Sequence, residues 1–378
     1  MKNKVIAVAM VGILVSGGLS SAATLSPTFN LVRRTTGYQT SEMVKEQVGF
    51  NTIEAKLTAN SIQSQIDNLE ELDDKGFVRF GMEQEVPLRI SLMSAAGNLN
   101  HSVKVMDLTH QNTTYSVYLG LRDLYMGLYR SHEDYQIKME TEAFKKDLYE
   151  LEMEKFRLGR ISEVELMLSE AEMEEAGVDR LEALNQYRTM LETFNQFIHN
   201  DNLYEEYTYA LEEPQLMDLQ GVDFYVARAL ANRVEMVDVV GKAELENEKK
   251  VYYESEDGRF LRSELITEDY EDQLDEVFKA MVALEETEEA ITLEIMRAYD
   301  EVLIARGNVL TLKETLDEQT QRLENLSLQK DLGYVTESTY REVALSIDNL
   351  RMNYNLAVMS YNTTLYRFLF ASNTGPAY

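Results

Sequence analysis

A mainly α fold of long antiparallel coiled-coil helices in two tandem repeats, with only short or truncated β-hairpins, is predicted by three observations. The four prolines fall at Pro27, Pro87, Pro214 and Pro376, leaving 126 positions between the second and third and 161 between the third and fourth. A proline inside a helix costs about 3 kcal/mol, so its absence over such spans permits very long helices. Apolar residues recur at coiled-coil spacing, and one stretch of sequence returns in a constant register.

The chain opens with a charged start at Lys2 and Lys4, an apolar run from Val5 to Leu19, and small residues at Ser21, Ala22 and Ala23. Residues 1–23 read as a secretory signal peptide, because an apolar run of about 15 residues is short for a bilayer span. An uncleaved anchor is the other reading, and either takes the rest of the chain out of the cytoplasm. No later stretch approaches about 20 apolar residues, so no transmembrane helix is expected in the mature chain. Two repeats follow, 24–213 and 214–378, with Pro214 near their seam.

Each repeat reads as a helix, a short extended piece, a long helix, a sharp turn and a final helix. In the first, the window FVRFGMEQEVPLRISL at 77–92 alternates in part. A helix from Asn100 to Leu158 then runs on the order of 90 Å. Gly159 ends it, Ser162 caps the next helix, and Glu163 adds favourable charge at its N-terminus. That helix carries a stripe of Val164, Leu168, Ala171, Val178, Leu181, Leu191, Phe194 and Ile198. In the second repeat, VYYESEDGRFLRSELI at 251–266 holds charges at Glu254, Glu256 and Asp257 in its middle. Leu312, Leu316, Gln319, Leu323 and Leu326 then step by four, three, four and three, the spacing of a coiled-coil seam. Gly333, Thr336 and Glu337 repeat the turn, cap and charge.

The register between the repeats is 174, the difference between 332 and 158. It pairs LGRISE at 158–163 with LGYVTE at 332–337, Tyr187 with Tyr361, Leu191 with Leu365, Phe194 with Phe368, Tyr125 with Tyr299 and Leu121 with Ile295. Nearer each start, NTIE at 51–54 matches NRVE at 232–235 at a register of 181.

Composition removes whole classes of function. With 36 Lys+Arg against 66 Asp+Glu the formal charge is −30, and −32 once Lys2 and Lys4 leave with the leader. Nucleic-acid binding, which needs clustered positive charge, is not expected. Cysteine is absent, which excludes disulfides, thiolate metal sites and a lipidated N-terminal cysteine. His101, His110, His132 and His199 lack the i, i+4 spacing of a helical metal pair. Glu170, Glu172, Glu174 and Glu175 read as a solvated helix face, and the tyrosines at 118, 125, 129, 135, 187 and 361 as packing between helices. No phosphate-binding loop or nucleophile elbow is present. Neither an enzyme nor a cofactor is expected.

A leader, two tandem halves, two L-G-x-[IV]-[ST]-E turns and a Tyr/Leu/Phe stripe after each turn together resemble the TolC-type outer-membrane efflux protein family, over roughly residues 41–371. The resemblance implies a homotrimer whose helices close into an α-barrel tunnel, with strands from each half entering one shared outer-membrane barrel. It implies a passive envelope duct for efflux or type I secretion, working with an inner-membrane pump and a periplasmic adaptor (membrane-fusion) protein. Adaptor docking then falls on Leu158, Gly159 and Arg160 and on Leu332, Gly333 and Tyr334. Gate positions carry over to Glu165, Lys330, Thr339 and Glu342, with Glu165 and Lys330 expected to pair. The departure from the family is in the barrel. A spanning strand needs about 9 to 11 alternating residues, and the windows 77–92 and 251–266 offer only a truncated hairpin crown. A secreted, non-conducting coiled-coil structural or adaptor protein is the alternative reading.

Overall fold

The structure, a computed structural model, describes residues 23–25, 35, 38–40, 42, 43, 46, 47, 53, 57, 60, 61, 64, 82–254 and 264–375. Its elements are β1 (Ala23–Leu25), α1 (Met82–Arg157), α2 (Glu163–Phe197), β2 (Tyr207–Tyr209), α3 (Val222–Asn232), α4 (Val234–Glu254), α5 (Glu264–Asp331) and α6 (Glu337–Ala371). The described residues between 38 and 64 are helical as well. Helices dominate, as the proline spacing predicts. α1 has 76 residues and α5 has 68, about 110 and 100 Å at 1.5 Å per residue.

The helices lie side by side as a strip. α1 packs against α2 on one flank and α6 on the other, and α6 in turn packs against α5. Beyond the end of α6, α4 takes its place between α1 and α5, with the Val234 N–H bonded to the Thr374 carbonyl at 3.0 Å. Among the described helices, α2 and α5 are therefore the two open edges. Two apolar clusters hold the strip together. One joins Leu121, Tyr125 and Leu128 of α1 to Tyr187, Leu191 and Phe194 of α2 and Met359 of α6. The other joins Tyr225 and Ala229 of α3 to Ile291, Ile295, Val302 and Val309 of α5 and Tyr361, Leu365 and Phe368 of α6.

The predicted seam on α5 is present and longer than its leucines. One row of half-buried or buried positions runs 270, 273, 277, 280, 284, 287, 291 and then 295, 298, 302, 305, 309, 312, 316, 319, 323, 326, 330, flanked by further half-buried positions at 283, 292, 294, 299, 306, 315, 320 and 327. Threes and fours alternate throughout except at Ile291 to Ile295, where two fours adjoin. Such a four-residue insertion re-phases a heptad stripe. It falls where the partner of α5 changes from α4 to α6.

Two expectations are corrected. The stripe read on α2 splits: Leu191, Phe194 and Ile198 are buried, but Val164, Leu168, Ala171, Val178 and Leu181 are exposed. The face turned toward α1 is instead Leu166, Met173, Ala176 and Ala183. α2 has two apolar faces in its lower half, and periodicity alone does not say which one meets its own chain. The strand windows are the second. From Met82 onward 77–92 is helix, as are 251–254 and 264–266; the rest of both windows lies outside the described residues. Alternation there is too partial to outweigh helix-forming Met, Glu, Gln and Leu once a neighbouring helix is available. The only described strands are β1 and β2, a short parallel pair that ties Ala23–Leu25 to Tyr207–Tyr209, just ahead of Pro214.

Candidate functional site

Both interhelical turns lie at one end of the strip, and the backbone builds them identically. Gly159 has φ +69° and Gly333 φ +80°, left-handed values that glycine adopts without Cβ strain. The N–H of Gly159 reaches the Phe156 carbonyl at 2.8 Å and that of Arg160 the Lys155 carbonyl at 2.9 Å. Gly333 to Lys330 and Tyr334 to Gln329 repeat those bonds at 2.8 and 2.9 Å. This is the Schellman pattern, which satisfies the last carbonyls of a helix. α2 and α6 then start 174 residues apart and each runs for 35 residues.

The expected docking residues are presented outward. Leu158, Leu332 and Tyr334 are 59%, 72% and 79% exposed, and Gly159, Arg160 and Gly333 are exposed as well.

The four gate candidates fall close by with separate local roles. Glu165 completes a capping box: its carboxylate accepts from the Ser162 N–H at 2.7 Å, and its own N–H donates to the Ser162 hydroxyl at 3.2 Å. Those hydrogen bonds from Ser162 hold the Glu165 carboxyl below its ordinary value. Lys330 sits 3.1 Å from Glu337 and 4.3 Å from the centre of the Tyr340 ring, and the bond to Glu337 raises its pKa. Within one chain Glu165 and Lys330 thus have other partners and form no ion pair with each other. Thr339 is the counterpart of Glu165; its N–H donates to the Thr336 hydroxyl at 3.2 Å. Glu342 is exposed on α6.

Replacing Ser162 by alanine removes the cap, a loss of about 1 kcal/mol. Tryptic cleavage after Arg160 is then expected to accelerate roughly fivefold through local opening; a rate within about twofold of the parent contradicts that role.

Sequence reasoning did not find the contacts that tie α1 to α6. Near the turns, Arg341 of α6 pairs with Asp147 of α1 at 2.5 Å and lies over the Phe144 ring at 5.2 Å. Higher up, Asn355 donates to the Tyr129 hydroxyl at 2.8 Å, and Arg367 stands 3.6 Å from Asp123. At mid-height a buried node collects the linker. Arg122, 5% exposed, bonds Glu212 at 2.6 Å and the Thr363 hydroxyl at 3.1 Å, with its guanidinium 4.9 Å from the Tyr366 ring centre. Asn362 donates to the same Glu212 carboxylate at 2.9 Å and accepts from the Gln215 N–H at 3.0 Å. Tyr125 and Tyr361 donate to the Ala210 and Gln215 carbonyls, each at 2.9 Å. Burial disfavours the Arg122 charge, but Glu212 and Tyr118 outweigh it and its pKa rises. One glutamate thus receives bonds from both repeats.

No group of three or more acidic or histidine side chains among the described residues is arranged to hold a metal ion, and no described helix is long and apolar enough to cross a membrane. His101 pairs with Asp238 at 2.9 Å, while His132 contacts Glu133 and the Tyr187 and Tyr209 rings.

No protein-family profile and no curated protein matches the sequence. Solved structures do match. The CmeC outer membrane channel of Campylobacter jejuni superposes with a TM-score of 0.53 at 16% identity, over 77% of this chain and 69% of that one. A membrane protein from Pseudomonas aeruginosa gives 0.57 at 9% identity over 97% and 98% of the two chains. The outer-membrane channel OprN gives 0.50 at 10%, over 75% and 70%. The chain has the fold of the TolC-type outer-membrane channels.

Proposed function

We propose that this chain, folded as those channels are, is one stave of a passive envelope duct for efflux or type I secretion. Residues 1–23 direct its export, and the repeats 24–213 and 214–378 each supply one hairpin of the wall. Copies close edge to edge into a homotrimeric tunnel, which places the protein in the periplasm and at the outer membrane. An inner-membrane pump supplies the energy, and a periplasmic adaptor docks on the turns at Leu158, Gly159 and Arg160 and at Leu332, Gly333 and Tyr334. It is not an enzyme and takes no cofactor; its surplus of carboxylates makes the lumen attractive to cations through the summed field.

The observation that carries this reading is the strip with two unfinished edges. Val164, Leu168, Val178 and Leu181 lie exposed on α2, and Leu293, Met296, Leu303 and Leu310 lie exposed on α5. Two different edges on one chain make a head-to-tail contact, which closes into a ring when the rotation between copies divides a full turn and otherwise extends as a filament. Glu165 stands on the α2 edge next to its turn, whereas Lys330 lies on the α5–α6 side, engaged by Glu337 and the Tyr340 ring, so a Glu165–Lys330 pair between copies requires Lys330 to leave those partners. Thr339 and Glu342 sit on α6 above the second turn as further mouth positions.

Mass measurement and particle imaging of detergent-purified and buffer-purified protein test the reading: a hollow trimer supports it, and a soluble monomer or dimer defeats it. The alternative, a secreted non-conducting coiled-coil protein, is favoured by one observation, the helical character of the described parts of both strand windows. Conductance across planar bilayers separates the two.

The contact between Arg341 and Asp147 sets the mouth. Exposed pairs contribute about 0.2–1 kcal/mol each, so three in a ring bias the mouth by up to about a hundredfold. Arg341→Glu is expected to raise single-channel conductance or open probability, with recovery in the swapped pair carrying Asp147→Arg as well. An unchanged closed state in Arg341→Glu removes the latch from the account.

A further inference from the structure

Among the described residues, one face of the strip carries everything that is not wall. The linker after β2 lies across α1 and α6, bonded by Arg122, Tyr125 and Asn362. α3 packs over α5 and α6, and Tyr38 stands against His110 of α1. In a tunnel of three such strips that face turns outward, because three linkers on the inner side would crowd the bore. The opposite face then meets the solute. We infer that Ser346, Asn349, Asn353 and Ser360 of α6 line the bore, as an uncharged track along which a solute moves without a fixed ionic partner. This inference rests on the duct reading and adds the stretch of wall that the solute touches.

Helix phase places the track. Asn362 donates to Glu212 and to the Glu213 carbonyl of the linker. At about 100° per residue, Glu342, Ser346, Asn349, Asn353 and Ser360 lie about 160–220° round α6 from it. All five are exposed, while α1 and α5 cover the flanks between. Arg351, about 20° from Asn362, is exposed on the outer side. The groove between α5 and α6 that Ser360 borders is lined by Ala305, Asn308, Thr311, Leu312 and Ala357, also without a charge.

The fold does not require this row. In the other hairpin the same register of 174 holds Glu172, Glu175, Asp179 and Gln186. There Glu172 is answered by Lys145 of α1 at 2.7 Å and Asp179 by Lys138 at 2.6 Å. Asn and Ser are also weaker helix formers than the Glu, Lys or Ala that suit an exposed position, so helix stability does not select them. In a chain of charge −30, an open row without charge answers to what passes it. Amide and hydroxyl groups exchange hydrogen bonds with water and solute alike, and hold neither sign of ion. The acidic surplus sits beyond the track, since 264–290 alone has eleven Asp+Glu against one lysine. Cations are thus drawn to the end of the tunnel away from the turns, and bulky polar solutes of either charge pass α6.

The absence of cysteine allows a direct test. Asn353→Cys, on the track, and Arg351→Cys, on the outer face, are made singly in the full chain and exposed in planar bilayers to a negatively charged methanethiosulfonate, with intact mass reporting modification. Single-channel conductance is expected to fall by about a third or more in Asn353→Cys and to change by less than about a tenth in Arg351→Cys. A conducting protein that responds in Arg351→Cys as much as in Asn353→Cys, or in neither, overturns the track and leaves the duct standing. An Asn353→Cys thiol that the reagent does not reach has the same meaning. Asn349→Asp combined with Asn353→Asp is expected to raise the cation-to-anion permeability ratio about twofold, and an unchanged ratio contradicts the track. A parent chain that does not conduct overturns the duct reading and the track with it.

Discussion

Replacing Arg122 by alanine is expected to lower the free energy of unfolding by about 3–5 kcal/mol, because it strands part of a buried ion pair and opens a void under the linker. Three groups lose a donor at once: Glu212, the Thr363 hydroxyl and the Tyr118 hydroxyl. Glu212 keeps the bond from Asn362 but loses its counter-charge. Glu212→Gln is milder, since the amide oxygen still accepts, and the double variant Arg122→Met with Glu212→Gln recovers part of the loss because neither charge remains buried. Urea denaturation at fixed protein concentration measures all three. A loss below about 1 kcal/mol in Arg122→Ala means that water replaces the guanidinium freely and the node carries no stability.

Phe368→Ala is expected to cost about 3–5 kcal/mol, the range for emptying a fully buried aromatic site. Its ring has no exposure and lies 4.6 Å from the Tyr225 ring centre and 5.8 Å from that of Tyr299. Truncation therefore separates α3, α5 and α6 from one another where they converge. Phe194→Ala, at the matching position of the other hairpin, leaves a cavity against Tyr207 and is expected to be comparable. Phe368→Leu fills most of the volume and should recover more than half of the loss. A cost under about 1.5 kcal/mol for Phe368→Ala indicates that the three helices collapse onto the vacancy.

What could be read from the sequence follows the range of each interaction. The Schellman turns, the caps at Ser162 and Thr336 and the α5 seam are local, so spacing and residue type reveal them within ten positions. Phe194 and Phe368 were legible because the same residue recurs in register after each turn. Arg122 and Glu212 stand 90 positions apart and Asp147 and Arg341 194 apart, and nothing local marks them as partners. Glu165 has a local use beside the gate position that the resemblance implies, the capping box that S-x-x-E spells directly. The α2 stripe is apolar as read, but only Leu191, Phe194 and Ile198 of it are buried within the chain, because helical periodicity marks an apolar face and does not say what covers it.

The doubled four-residue step at Ile291 to Ile295 bears on how the chain finds its register as it folds. An unbroken heptad seam can slide by seven residues, about 10 Å, and present an equivalent row of knobs to its partner. A phase break removes that degeneracy, since a slipped α5 matches either α4 or α6 but not both. α4 and the first half of α5 are close in sequence and dock with little loop closure, whereas α6 reaches the second half of α5 only after the turn at Gly333 forms. The phase set on one side of the break therefore constrains the alignment on the other.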